Sequence, residues 1–386
     1  MINFEFISPT KIYFGKRQEE NIGKIIKNYG FKKILFHYGT SSIYKSGLYD
    51  KVVKSLNDEN IEFIAFGGVT PNPKIDLVRE GVKIVKENNI DFILAVGGGS
   101  VIDSAKAISH GAKVEFDPWL LFTQEEKPID SLPVGVILTL SAAGSELSNS
   151  CVISNSDINV KNGFNSDLNR PLFAIMNPEL TYTVSKYQTA CGIVDILMHT
   201  LERYFNDEQN TYFADEMAYG IIKSTIKAGL IAYDEPENYD ARASMMIASS
   251  YSHNGLTGLG SKFYFTVHKL EHILSGLFDY VAHGAGLAIL FPAWAKYTKD
   301  LFNEKWINLG KVLGIIDDEN LIDNTILYFE NLFKKINMPT RLKEVEVYEK
   351  DFELFANRAT KNNTIKIVGV KQLDKDDLLK ILELAK

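Results

Sequence analysis

Cysteine is nearly absent from this chain. Cys151 and Cys191 are the only two thiols in 386 residues. Two thiols cannot build a disulfide framework, and so few suit a reducing, cytoplasmic setting. No run of about 18 uninterrupted apolar residues occurs, so no membrane span is expected. The first residues, MINFEFISPTKIYFGKRQEE, lack a basic start followed by an apolar stretch and do not read as a signal peptide. Excess positive charge is missing too. The formal net charge is −7, which is a poor match to a phosphate backbone and sets nucleic acid aside. Repeats, low-complexity tracts and charged tails are also lacking.

What is present divides into two textures. Eight of the eleven prolines lie at or before Pro178. In that part, short apolar runs (33–36, 61–66, 92–96 and 134–138) alternate with amphipathic stretches such as 75–88. Short apolar strands alternating with helical periods predict parallel βαβ units. After about residue 180, apolar residues recur at three- and four-residue spacing over 189–205, 213–233, 241–253, 265–277 and 321–335. The expected organisation is an α/β domain over 1–178 with a mostly parallel sheet, then an all-α domain over 179–386. The stretch 4–14 reads as a strand pair apart from the main sheet, an edge for a second subunit.

The sharpest local signal in the first half is Gly97-Gly98-Gly99-Ser100, between an apolar strand and a helix. Glycines permit positive φ and close approach of phosphate oxygens to backbone amides. Ser100 is an expected N-cap and Asp103 its capping-box partner. The amides and the helix dipole would make an anion site. The segment is not G-x-G-x-x-G, and an ordinary capped turn explains it about equally well. Gly39-Thr40-Ser41-Ser42, after the first buried strand, is a second phosphate or ribose candidate, or simply a helix cap.

The second half concentrates metal-ligating residues. Asp195 and His199 stand four apart in an otherwise apolar helical stretch, and His268 and His272 repeat that spacing. His283 opens His-Gly-Ala-Gly just beyond. Residues at i and i+4 share a helix face. A single Asp/His pair is more often a salt bridge. Two such pairs plus a third site in apolar helices favour an ion, because burying the groups without one is costly. Three imidazoles and a carboxylate would leave one coordination position open for Lewis-acid chemistry on an alcohol or carbonyl, with Fe²⁺ or Zn²⁺. His37, His110 and His253 have no such companions and are taken as structural.

These residues resemble the iron-containing alcohol dehydrogenase family, in its butanol dehydrogenase or broad-range aldehyde reductase branch. The likeness runs through residues 66–73, 97–103, 144–146, 177–181 and 188–195 with His199, then His272 and 283–289. It implies a metal-dependent enzyme that moves a hydride between a nicotinamide cofactor and short-chain aldehydes or primary alcohols such as butanal and butanol. Asp195, His199, His268 and His283 are the implied metal ligands. His272 is the implied catalytic residue beside the nicotinamide, suited to proton transfer. Gly39, Thr40, Ser41, Asn72, Gly98, Gly99, Ser100, Asp103, Thr139, Ser141 and Lys161 are the implied cofactor contacts.

NADP(H) is expected over NAD(H), because no acid lies between Ile34 and Leu48 to repel a 2′-phosphate. A homodimer is expected. The departures from the family pattern are a first turn poor in glycine, Ala143 before Gly144-Ser145-Glu146, and a stretch from His272 to His283 one residue longer than is common. The rivals are a dehydroquinate-synthase-like lyase, a glycerol-dehydrogenase-like member of the same superfamily, a metal hydrolase without nucleotide, and a binding protein with a dead site. The apolar surroundings of the ligands disfavour the first. The glycine turn disfavours the hydrolase, and the complete ligand set the dead site.

Overall fold

A computed structural model describes residues 1–316 and 319–386. The chain forms two compact units. One comprises Ile7–Val184 and Pro236–Ser250; the other comprises Met1–Phe6, Ser185–Glu235 and Tyr251–Lys386.

The first unit is built on a six-stranded sheet. Its strands are β1 (Lys11–Phe14), β2 (Lys33–Tyr38), β3 (Glu62–Phe66), β4 (Phe92–Gly97), β5 (Val134–Leu138) and β8 (Phe173–Met176). The order is β1-β8-β5-β4-β2-β3, with every pair parallel. A separate antiparallel hairpin joins β6 (Ser150–Asn155) to β7 (Val160–Asn165). The helices of this unit are α1 (Ile22–Asn28), α2 (Ser42–Lys45), α3 (Leu48–Asp58), α4 (Ile75–Asn88), α5 (Gly99–Gly111), α6 (Trp119–Phe122) and most of α9 (Tyr239–His253).

The apolar runs are nearly unbroken because the sheet is covered on both faces. Side chains alternate between the faces. Ile34, Phe36, Phe92, Leu94, Val96, Ile137 and Ile175 enter one core. Leu35, Ile93, Ala95, Val136, Leu138 and Ala174 enter the other. In α4, Ile75, Val78, Gly81 and Val85 form the buried stripe. Gly81 must lack a side chain there, since a Cβ would stand 2.4 Å from Ile108 of α5.

The expected strand pair over 4–14 is not formed. Only Lys11–Phe14 is a strand, and it joins the main sheet as an edge beside β8. Pro9 lacks the N–H that a longer ladder would need. Thr10 instead fixes the entry through a hydroxyl bond to the Pro171 carbonyl at 2.7 Å.

The second unit is helical. Its elements are α7 (Lys186–Tyr204), α8 (Tyr212–Asp234), the last residues of α9, α10 (Thr266–Leu277), α11 (His283–Thr298), α12 (Asn303–Val312), α13 (Leu321–Lys335), α14 (Phe352–Ala359) and α15 (Lys375–Leu384). Ser185 caps α7 by accepting the Gln188 amide at 3.2 Å. Every residue of α7 from Thr189 to Tyr204 is buried, so this helix is the unit's axis. No helix among the described residues is long and apolar enough to cross a membrane.

Candidate active site

In the α/β unit, parallel strands place their following loops along one edge, the carboxyl edge of the sheet, where open α/β sheets bind ligands. Gly39-Thr40-Ser41 follows β2, Asn72 lies in the loop after β3, Gly98-Gly99-Ser100 follows β4, and Thr139 and Ser141 follow β5. The Thr139 amide donates to the Gly97 carbonyl at 3.0 Å, tying two of these loops together. The Ser141 hydroxyl is buried with no hydrogen-bond partner among the described residues. Such an orphan donor suits a ligand at this edge.

The glycine turn works differently from expectation. None of Gly97, Gly98 and Gly99 takes a positive φ. They are needed for closeness: a Cβ would stand 2.5 Å from Val101 at Gly97, 3.1 Å from Leu140 at Gly98 and 3.0 Å from Ala143 at Gly99. The capping box is also corrected. α5 starts at Gly99 with Gly98 as N-cap, and no side chain caps it. Asp103 accepts instead from the Ser145 hydroxyl (2.6 Å) and the Val152 amide (3.0 Å). Ser100 falls two residues past the N-cap, too late to cap, and the Val101 amide already bonds the Gly98 carbonyl at 3.0 Å.

The helical unit brings Asp195, His199, His268 and His283 together. Asp195 and His199 lie one turn apart on α7, His268 sits in the first turn of α10, and His283 begins α11. Gly284 lets α11 start against α7, because a Cβ there would meet the Cys191 backbone at 2.6 Å. Phe265, just before α10, has a φ of 49°, a strained conformation for a bulky residue.

Three imidazole nitrogens surround Asp195 Oδ1: His199 Nδ1 at 3.2 Å, His268 Nε2 at 3.6 Å and His283 Nε2 at 3.7 Å. Two tetrahedral ligands, each about 2.1 Å from an ion, stand roughly 3.4 Å apart. Asp195 Oδ1, His199 Nδ1 and His268 Nε2 are buried with no hydrogen-bond partner among the described residues. Orphaned donor atoms at ligand spacing fit a divalent metal.

Two carboxylates that the sequence reading passed over complete the arrangement. Glu202 accepts from His268 Nδ1, and Glu271 accepts from His283 Nδ1. In the neutral rings that metal binding requires, donation at Nδ1 would leave the Nε2 lone pair facing Asp195. The available signal was spacing: each glutamate stands three residues after a histidine (His199, His268) on the same helix face. His253, expected to be structural, has its ring centroid 3.9 Å from that of His199. His37 and His110 are structural, as expected: His37 bonds the Phe66 carbonyl and Ser104, and His110 bonds the Asp130 carbonyl and Asn169. His272 is half-buried with its ring 5.8 Å from that of His283.

The electrostatics follow from burial and these partners. Burial pushes the Asp195 carboxyl up, but His199, His268 and His283 outweigh it and hold the group well below the usual carboxylate range. Burial likewise opposes charge on His268, yet Glu202 and Asp195 raise it to about 9. His199 is lowered to about 4, chiefly by burial. Cys191, one turn before Asp195, is pushed up to about 12 by burial and by that carboxylate, so it is no nucleophile.

Sequence profiles agree with this geometry. The profile described as "Iron-containing alcohol dehydrogenase" matches residues 9–178. The one described as "Fe-containing alcohol dehydrogenase family, C-terminal" matches residues 189–386. The chain belongs to the iron-containing alcohol dehydrogenase family. It is 39% identical to NADH-dependent butanol dehydrogenase A of Clostridium acetobutylicum, over 99% of each chain. It is 35% identical to the NADPH-dependent aldehyde reductase YqhD of Escherichia coli, over 89% of each. A crystal structure of NADH-dependent butanol dehydrogenase A from Thermotoga maritima superposes with a TM-score of 0.96 at 36% identity, covering 100% of this chain and 99% of that one. This alcohol dehydrogenase and aldehyde reductase therefore falls in the butanol dehydrogenase/aldehyde reductase branch, which works with a nicotinamide cofactor and a divalent metal.

Proposed function

We propose that the enzyme reduces short-chain aldehydes such as butanal to primary alcohols with NADPH in preference to NADH, using one Fe²⁺ or Zn²⁺ ion. The observation that carries this reading is the convergence of three imidazole nitrogens on Asp195 Oδ1 within 3.7 Å. Asp195, His199, His268 and His283 would hold the ion, which when bound supplies Lewis acidity toward the substrate oxygen.

The chain's own groups do the rest. Glu202 and Glu271 fix the tautomers of His268 and His283. The apolar α7 residues Ile196, Leu197 and Met198 are buried beside the ligands and help keep water out. His272 holds or passes the proton that the alcohol oxygen gains or loses, as imidazoles do near neutrality. A nicotinamide, when bound, would supply hydride chemistry at its C4. Gly39-Thr40-Ser41, Asn72, Gly98-Gly99-Ser100, Asp103, Thr139 and Ser141 would receive the nucleotide, with buried Lys161 toward its nicotinamide ribose.

The preference for NADPH rests on the Gly39-Thr40-Ser41-Ser42 turn, exposed from Thr40 onward, which presents hydroxyls and amides and no acid. Lys45 lies close by in sequence. Exposed Ile2, Phe4 and Phe6 at the N-terminus support a homodimer. Two free, buried cysteines support a cytoplasmic setting. Metal analysis coupled to butanal reduction with each cofactor tests the reading: bound Fe or Zn with a higher kcat/KM for NADPH supports it, and turnover by metal-free protein overturns it.

A further inference from the structure

Lys106 is a charged side chain that none of the functions above uses. It lies on α5, two turns after Gly99, and its side chain is fully buried. Its ammonium donates to the carbonyls of Ser145 (2.8 Å), Ser148 (3.2 Å) and Ser150 (2.8 Å), and also contacts the Ser145 hydroxyl at 2.8 Å. Carbonyls only accept, and the Ser145 hydroxyl gives its own proton to Asp103, so four acceptors share the three N–H groups that only the charged ammonium has. Burial works against that charge. The compensation is Asp103, whose carboxylate stands 3.9 Å away and accepts from the same Ser145 hydroxyl at 2.6 Å. A lone buried charge would be prohibitive, whereas a hydrogen-bonded pair with its remaining valences filled is tolerable.

The consequence lies in what this ammonium binds together. Segment 144–150 wraps its carbonyls around Lys106 much as loops wrap a metal cation. The residues just before that segment lie against the glycine turn: Leu140 against Gly98 and Ala143 against Gly99. The loop carrying Thr139 and Ser141 is thus closed onto α5 at both ends, by glycine contacts near the helix start and by the ammonium two turns on. Asp103, held by Ser145 and by the Val152 amide, is fixed by the same knot.

We infer that Lys106 is a positioning residue for the nucleotide: its ammonium, relayed through Ser145 to Asp103, sets the spacing between the glycine turn and the Thr139–Ser141 loop. This rests on the reading of Gly98–Ser100 as a nucleotide site. Lys106 touches no ligand; it acts through the carbonyls it holds. A methionine of similar length would fill the space and leave three buried carbonyls without donors.

The test uses metal-loaded Lys106→Met and Ser145→Ala proteins, titrated with NADPH and NADH by fluorescence. Both variants are expected to bind the nucleotides about tenfold or more weakly, while bound metal and the KM for butanal stay at wild-type values. Ser145→Ala keeps the carbonyl and removes only the relay, so it decides the matter if Lys106→Met fails to fold. Wild-type nucleotide affinity in a folded variant, or a loss that comes only with loss of metal, overturns the inference. Failure of the wild type to bind either nucleotide would instead refute the underlying site.

Discussion

Glu202 grips His268 from both its ring and its backbone. One carboxylate oxygen accepts from the Val267 amide at 2.6 Å, and the other from the His268 amide at 3.0 Å and from His268 Nδ1. All of these donors point at a group buried to 2% side-chain exposure on α7. A single glutamate therefore ties the start of α10 to α7 and sets which nitrogen of His268 faces Asp195.

Glu202→Gln should accordingly lose metal without losing the fold. Glutamine offers one acceptor oxygen where two are needed, and it turns an N–H toward a donor. Loss of such an outer partner typically costs 10- to 100-fold in metal affinity. Competition with a chelator, read by metal analysis, measures it; wild-type retention of metal would show that Glu202 is only a packing residue.

His272→Ala should behave in the opposite way. The ring sits near His283, yet it stands outside the set around Asp195. The variant is expected to keep its metal and lose about 100-fold or more in kcat, with a changed pH profile. Metal loss comparable with that of a ligand variant would move His272 into the coordination sphere.

Much of this was legible in the sequence because it lies in periodicity. The strands at 92–96 and 134–138 and the helices at 75–88 and 321–335 appear where apolar spacing put them. Asp195/His199 and His268/His272 were visible because i,i+4 spacing is a statement about one helix. What escaped depends on which helices pack together. Glu202 on α7 and Glu271 on α10 look like solvated helix glutamates until α10 and α11 are docked. His253 has no partner within its own helix. Asp103 read as a capping residue because local spacing suggested it; its partners, Ser145 and Val152, lie more than forty residues away.

His37 gives the protein an acid-sensitive joint away from the metal. It is fully buried, and burial lowers it to about 4 against the opposing bond to the Phe66 carbonyl. The unfolded chain takes up a proton below about pH 6.5, and the native state does not until about 4. Stability from this group is therefore complete above 6.5 and drains away as pH falls toward 4. Between pH 7 and pH 5 the wild type should lose about 2 kcal/mol more than His37→Gln in urea unfolding. Parallel losses in both proteins would clear His37 of the effect.

Gly39→Asp tests cofactor choice. A Cβ at Gly39 would come no closer than 3.5 Å to any neighbour, the Val69 carbonyl, so the substitution fits. Its carboxylate would repel a 2′-phosphate and accept from a free 2′-hydroxyl. The expected result is a kcat/KM for NADPH lowered about tenfold, with that for NADH kept or raised. A uniform loss with both cofactors would show that the turn does not read the 2′ position.

The most direct measurement is metal content and butanal turnover, taken together on wild type, Asp195→Ala and His268→Ala. The wild type should carry one divalent ion per chain, and each variant should lose the ion and the turnover in step while keeping its helical circular dichroism. A folded His268→Ala protein with a tightly held ion and full turnover would contradict the assignment of the three imidazoles around Asp195 as the enzyme's metal centre.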